Sequence, residues 1–309
     1  MNKKFLYTSL AILGTLLALS VMHAYLPFLF AAGAGNEGIE VSAKLPGNDV
    51  YRMYRISQDS KSLGLVTGRF FGNESIFEQT ISIQGNRALL VGEPWGEAQV
   101  YVETSSGYTK ITDSHTMKRG INWSTDGSQL FFSEAPVIEN PETRKYLDEW
   151  NVMAVHIDGK LQMLGLGFAP QAVDENSVLA LSPAGIVLIP LTDHQQARVI
   201  LSTHRPPTTD ASFVISHDNT KLLWNDPYFK SLTAFTMNIN SAVPLQLIVG
   251  LPPDTLEGTA ISPDGNTFAS LKRGWNGEAR IVLFDLSGRE IDSIALSEGV
   301  EVLSLHAWH

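Results

Sequence analysis

Beyond residue 38 the apolar positions come in short runs, many alternating with polar ones, and no stretch of twelve or more residues keeps a 3.6-residue period. Gly, Pro, Asn and Asp interrupt these runs every ten residues or so, and the runs are rich in Val, Ile, Phe, Thr and Leu. That pattern predicts an all-β chain of short strands, arranged as a sandwich, a barrel or a propeller.

Self-similarity decides among the three. Turn dipeptides fall at Gln84-Gly85, Asp126-Gly127, Asp174-Glu175, Asp218-Asn219 and Asp264-Gly265, at spacings of 42, 48, 44 and 46 residues. Most follow a short run ending in serine: Thr80–Ser82, Asn122–Ser124, Phe213–Ser216, Ala260–Ser262. Each turn precedes a second strand: Arg87–Val91, Gln129–Ser133, Ser177–Leu181, Lys221–Trp224 and Thr267–Leu271. Asp or Asn followed by Gly suits such hairpins because these residues accept positive φ at small cost. Third strands are predicted at Val100–Glu103, Val152–Ile157, Ile186–Leu191, Thr233–Ile239 and Ile281–Leu286. Fourth strands follow at Tyr108–Ile111, Leu161–Leu164, Arg198–Leu201, Leu245–Val249 and Ile291–Ala295. Four strands in each forty to fifty residues make one propeller blade.

The two ends complete a sixth blade. Val302–Trp308 reads as an innermost strand, with Trp308 in the place of Trp123 or Ile261, but the turn that should follow it lies beyond the last residue. A lone innermost strand leaves its edges unpaired. Its partners are expected from the other end: Ile39–Ala43 as second strand, Val50–Ile56 as third and Ser62–Thr67 as fourth. The expectation is a six-bladed β-propeller over residues 39–309, closed by the C-terminal strand.

Ile261-Ser262-Pro263-Asp264-Gly265-Asn266-Thr267-Phe268-Ala269-Ser270, followed by Ala279–Gly288, resembles the repeat of TolB-like (WD40-like) β-propellers. Trp123–Phe132 is a second match, and Ser216-His217-Asp218-Asn219 and Ser82-Ile83-Gln84-Gly85 are degenerate copies. The resemblance covers nearly everything after residue 38. It implies an extracytoplasmic propeller, a kind that often serves as a protein-binding platform. TolB itself carries an α/β domain before its propeller, for which this sequence leaves no room.

The N-terminus has a different pattern. Lys3 and Lys4 precede Phe5–Met22, eighteen residues without a charge, and the uncharged run continues to Ala34. As a helix with a rise of ~1.5 Å per residue it would be about 27 Å long, close to a hydrocarbon core. A cleaved signal peptide, with Ala32-Gly33-Ala34 as its site, is the competing reading, but the run is long for one. Residues 1–34 are therefore expected to be a membrane anchor and 35–38 a linker. No Lys or Arg follows the segment before Lys44, so the positive-inside rule keeps the N-terminus in the cytoplasm and places the propeller outside the cytoplasmic membrane. Gly33–Gly38 fits G-x-G-x-x-G, but it lacks the strand before and helix after that a dinucleotide site requires.

Composition narrows the chemistry. Lys and Arg total 22 against 32 Asp and Glu, a net charge of -10, which disfavours nucleic acid as a partner. The absence of cysteine excludes disulfides, thiolate metal sites, a cysteine nucleophile and a lipidated N-terminal cysteine. The eight histidines show no H-E-x-x-H or similar spacing, and no G-x-S-x-G elbow occurs. The recurrent Asp126, Asp218 and Asp264 are expected to hydrogen-bond their own turns rather than to hold calcium. Catalytic, metal and cofactor sites are accordingly not expected.

What remains is a surface. In a propeller the loops between second and third strands share one face with the connections between blades. Here those loops carry Trp95, Tyr228, Phe229, Arg273 and Trp275, and an insertion at Pro136–Trp150 adds Arg144 and Tyr146. The connection His204–Pro207 adds Arg205. Large aromatics and arginines anchor protein interfaces, although such rings can also plug loops against a sheet. The expected function is a membrane-tethered scaffold that binds a protein or peptide at these eight residues, without catalysis. Two alternatives stay open: a lactonase-like or glycan-processing propeller enzyme with acidic residues at the channel mouth, and a structural subunit of an envelope complex.

Overall fold

In a computed structural model of the chain, the described residues are 38–308 except 59–60, 68–70, 138–139, 141–145, 193–195, 204, 227–230, 239–240, 246–254 and 275–278. They form six antiparallel sheets of four strands. Blade 1 comprises β4 (Ser75–Ile81), β5 (Arg87–Gly92), β6 (Ala98–Thr104) and β7 (Gly107–Lys110). Blade 2 is β8 (Thr116–Trp123), β9 (Gln129–Pro136), β10 (Asn151–His156) and β11 (Leu161–Leu166). Blade 3 is β12 (Phe168–Asp174), β13 (Ser177–Ser182), β14 (Gly185–Pro190) and β15 (Arg198–Ser202). Blade 4 is β16 (Ser212–Ile215), β17 (Lys221–Asp226), β18 (Ser231–Asn238) and β19 (Ser241–Leu245), and blade 5 is β20 (Thr255–Ile261), β21 (Thr267–Arg273), β22 (Ala279–Asp285) and β23 (Glu290–Ala295).

The sixth sheet has the order β24 (Glu301–Trp308), β1 (Ile39–Lys44), β2 (Arg52–Ile56), β3 (Leu63–Thr67). The two ends of the chain share one blade, as the unpaired Val302–Trp308 pattern predicts. Val41 faces Leu305 and Ile39 faces Trp308 across this seam. Lys44 adds an ion pair to Glu301 at 2.8 Å, and the Tyr51 hydroxyl donates to the same carboxylate. Burial, and then the Glu301 hydrogen bond, push the Tyr51 phenol up to about 12.

One fourth strand lies earlier than the sequence suggests. In blade 4 it is Ser241–Leu245, pairing Asn238 with Ser241, where Leu245–Val249 was expected. Pro244 obscures it, because proline argues against a strand except at an edge, and this strand is at the edge. Residues 246–249 lie outside the described ones.

The core consists of clusters between blades. One joins Met117 and Trp150 of blade 2 to Phe168 and Leu188 of blade 3 and to Phe213 and Trp224 of blade 4. Trp150 meets Phe168 edge-on, with ring centroids 4.9 Å apart. Another joins Ile39, Val41 and Leu305 of blade 6 to Ala260, Leu271 and Ile281 of blade 5. The innermost strands bulge at comparable heights, with register shifts between Ile76 and Glu78, Arg119 and Asn122, Phe168 and Gln171, and Glu257 and Thr259. Such bulges re-aim side chains, here toward the axis. At Gly120 the bulge has φ +67°, and a Cβ there would lie 2.5 Å from the Ala169 Cα, so only glycine fits between these blades.

The turn aspartates act as the sequence suggests. Asp264 accepts from the Ser262 hydroxyl at 2.6 Å and from the Asn266 N–H at 3.0 Å. Asp126 and Asp218 repeat this geometry with Ser124 and Ser128, and with Ser216 and Thr220. Hydrogen bonds from Ser216, and then Thr220, hold the Asp218 carboxyl down at about 2. A depressed folded-state pKa contributes stability above the ordinary carboxylate range and loses it as pH falls through the folded value. Solvent exposure keeps the contribution small. Asp218→Asn is expected to lower Tm by a few degrees at pH 7, with the difference vanishing between about pH 4 and pH 2. Melting curves of both proteins across that window check it; a difference that persists at pH 2 would exclude the turn carboxylate as its source.

Candidate functional site

All six innermost strands contribute to a cavity of about 590 Å³ on the propeller axis. It includes Trp95 from the β5–β6 loop and Thr209 to Ala211 from the connection between blades 3 and 4, so it opens on the face carrying those loops. We call this the mouth. The Asp-Gly turns mark the opposite, turn face.

The wall is divided. Counting three residues back from the turn serines Ser82, Ser124, Ser216 and Ser262 gives Gln79, Ile121, Phe213 and Thr259, all in the wall. Blades 2, 3 and 4 supply an apolar arc of Ile121, Phe168, Pro170 and Phe213 interspersed with Arg119, Asn122, Gln171 and Ser212, whereas blades 5, 6 and 1 supply Thr259, His306, Gln79, Glu40 and Glu78 beside Leu303 and Leu305. Glu78 takes the Arg119 Nε at 2.6 Å and the backbone N–H groups of Gly120 and Ile121 at 2.6 and 3.0 Å. Its carboxylate therefore ties blade 1 to the bulge of blade 2. The Arg119 guanidinium lies over the Trp95 ring, 4.5 Å from its centroid, which fixes the indole at the mouth. Glu40 pairs with Arg55 at 2.6 Å and accepts a hydrogen bond from Gln79.

His306 belongs to the same arc, its Nε2 2.9 Å from the Ser304 hydroxyl. The ring touches the cavity but protein surrounds it, and this burial lowers its pKa against the opposing pull of Glu78 and Glu40. Burial thus favours its neutral form. The hydroxyls of Ser212 and Thr259 are buried in the wall without a hydrogen-bond partner among the described residues. The cavity thus presents neutral hydrogen-bonding groups beside an apolar arc, while its carboxylates on β1 and β4 are already held by cations. No three His, Asp or Glu side chains converge as a metal site among the described residues.

The sequence-derived surface residues divide into three groups. Trp95 is half-buried in the cavity wall. Tyr146 is 59% exposed, and it bridges to Thr208, which brings it alongside the segment carrying the exposed Arg205. Arg273 turns inward and donates to the Val302 carbonyl at 2.6 Å, clasping blade 5 to the closing strand. Arg144, Tyr228, Phe229 and Trp275 lie outside the described residues, as do residues 1–34 with the expected anchor. Among the described residues no helix is long and apolar enough to cross a membrane.

The axial group Glu40, Glu78, Gln79, Arg119 and His306 went unnoticed in sequence. Its signal was present: Glu78-Gln79 and Arg119 interrupt the innermost strands within five residues of the turn serines Ser82 and Ser124, where a charge needs a partner.

No family model matches the chain, and no curated protein matches it. Solved structures do. TolB from Acinetobacter baumannii superposes with a TM-score of 0.65 at 14% identity, covering 89% of this chain and 68% of that one. The C-terminal WD40 domain of Sif2 superposes with a TM-score of 0.51 at 13% identity, covering 86% of this chain and 71% of that one. The blade order, the composite closure and these superpositions agree: this chain folds as a TolB-like, six-bladed β-propeller.

Proposed function

We propose that this chain is a membrane-tethered, extracytoplasmic propeller that binds a protein or peptide partner at its mouth and performs no catalysis. The axial cavity carries this reading: a recess of about 590 Å³ with an apolar arc, buried hydroxyls and a stacked Trp95 at the opening. Tyr146 and Arg205 extend the same face outward. The family resemblance supports a binding role, and the uncharged run Phe5–Met22 supports the tether. Nucleic acid remains disfavoured by the charge of -10.

The enzyme alternative draws on Glu40, Glu78 and His306 at the axis. An acid–base pair needs a carboxylate free to exchange a proton. Here Arg55 and Gln79 hold Glu40, and Arg119 with two N–H groups holds Glu78. The arrangement favours structure and recognition over turnover.

Affinity capture of the full-length protein from its own membranes tests the proposal. A central interface tryptophan contributes about 2 kcal/mol or more, so Trp95→Ala should weaken recovery of a specific partner by more than about tenfold without changing the melting temperature by more than a few degrees. Trp275→Ala should act in the same direction. If both variants recover every partner at wild-type levels, the mouth is not the binding site.

A further inference from the structure

β24 places a hydroxyl beside a base in the wall of the axial cavity. Ser304 and His306 are two residues apart, each half-buried, and both line the cavity. The Ser304 Oγ lies 2.9 Å from the His306 Nε2, within the reach that proton transfer requires. A hydrogen bond between the ring and the Phe77 backbone of β4 favours a proton on the imidazole. Only the Phe77 carbonyl can accept, so Nδ1 carries the ring hydrogen toward it and Nε2 is left to take the hydrogen of Ser304. A partner on one ring nitrogen sets the role of the other.

Three charged side chains face this ring. Burial, the largest influence, favours its neutral form; Glu78 of β4 and Glu40 of β1 pull toward the imidazolium, and Arg119 of β8 pushes against it. A general base needs this balance: a neutral ring able to accept, with carboxylates near enough to favour the cation that forms. Ser212 and Thr259 of the same wall have no such neighbour, since their hydroxyls lack any hydrogen-bond partner.

We propose that Ser304 is a site of covalent modification, acylated by a neutral activated ester or thioester that enters the mouth, with His306 as the base. The Ser304 Oγ adds to the carbonyl carbon, and its proton passes to Nε2. The bond from that carbon to the leaving oxygen or sulfur then breaks, and Nε2 gives the proton to the leaving group. The products are a Ser304 ester and a free alcohol or thiol, with His306 neutral again. The arc of Ile121, Phe168 and Phe213 suits an apolar acyl chain, and the net charge of -10 disfavours an anionic donor. Hydrolysis of the ester needs a water at the same Nε2, and the protein around the ring leaves that position to Ser304. Each chain is thus modified once, and the mouth remains a binding site. The proposal shares the cavity with the binding role but not its partner.

Full-length protein is treated with p-nitrophenyl butyrate at pH 7; nitrophenolate release is followed by absorbance and the adduct by intact mass. One equivalent of nitrophenolate per chain and one butyryl group, mapped to Ser304, are expected. Ser304→Ala should lose the adduct, and His306→Gln should slow its formation by about tenfold or more, both with wild-type melting temperature. The rate should fall below about pH 6.5, as the ring takes up a proton. Ser304→Cys gives a second reading should His306→Gln loosen the closing strand, because it introduces the only thiol in the chain. Its alkylation by iodoacetamide at pH 7 should be about tenfold faster than that of Thr80→Cys in the same wall. Absence of an adduct, an adduct only elsewhere, acylation undiminished in Ser304→Ala, or equal alkylation of the two thiols would overturn the proposal. Release that continues past the first equivalent would overturn the single modification and, with it, the reading of the mouth as non-catalytic. Capture of a partner by wild type and Trp95→Ala is read separately, so failure of either proposal leaves the other standing.

Discussion

Removing Val302–His309 will abolish cooperative unfolding of the entire propeller. β24 supplies one of six innermost strands, and its loss leaves Ile39, Val41 and Ala43 of β1 without a ladder on the axial side. Val302 and Leu305 are almost fully buried, and burial of each contributes about 1.5–3 kcal/mol. Added to the lost ladder and the free edge, this is comparable with the ~5–15 kcal/mol that keeps a domain folded. Glu301 and the Arg273 contact to the Val302 carbonyl belong to the same seam, so blade 5 loses a clasp as well. Circular dichroism melting of the truncated protein checks this. A sharp transition at the wild-type temperature would show that the ring does not depend on its closing strand.

The second large effect is expected at the axis. Glu78→Ala removes the acceptor of the Arg119 Nε and of two backbone N–H groups, and leaves an 11%-exposed guanidinium facing the cavity without its carboxylate. Breaking a buried pair from one side costs about 3–5 kcal/mol, because the remaining charge stays desolvated. For a domain of this size that is roughly 10 °C in Tm. Glu78→Ala/Arg119→Met should regain much of the loss, since the stranded charge is gone and Met can keep contact with Trp95. If the double variant is as unstable as the single one, the N–H contacts rather than the ion pair hold the seam.

The blades were legible because their signals are local. Turn residues with positive φ tolerance, apolar alternation and a fixed period all act within ten residues, and the Ser-x-Asp-Gly turns fold as their own side chains dictate. The composite blade was legible for a topological reason: Val302–Trp308 is an innermost pattern without a following turn, so its partner had to be Ile39–Ala43. The axial site was harder. Glu78 and Arg119 are 41 residues apart on neighbouring blades, and Gln79 of blade 1 reaches Glu40 of blade 6, whereas Glu40 and Arg55 face each other across the β1–β2 hairpin. Pairing between blades depends on how the blades sit side by side, which sequence period alone does not convey. Arg273, read from the sequence as a surface anchor, donates a hydrogen bond to a backbone carbonyl of the closing strand, a contact between blades that the sequence period does not convey. The β19 edge strand was displaced in the reading because Pro244 masked it.

The closing blade also fixes which way the molecule looks. Ile39 lies beside Trp308, at the end of the innermost strand where the other five blades turn into their second strands, so the chain enters the propeller at Gly38 on the turn face. The mouth is at the other pole. Strands of seven residues at ~3.3 Å each separate the two by about 20–25 Å. A tether running from Gly38 to a lipid bilayer would therefore hold the cavity outward, one blade height beyond its point of attachment. A partner arriving from an opposing layer would meet it head-on, and a neighbour rooted in the same membrane would have to reach over the rim.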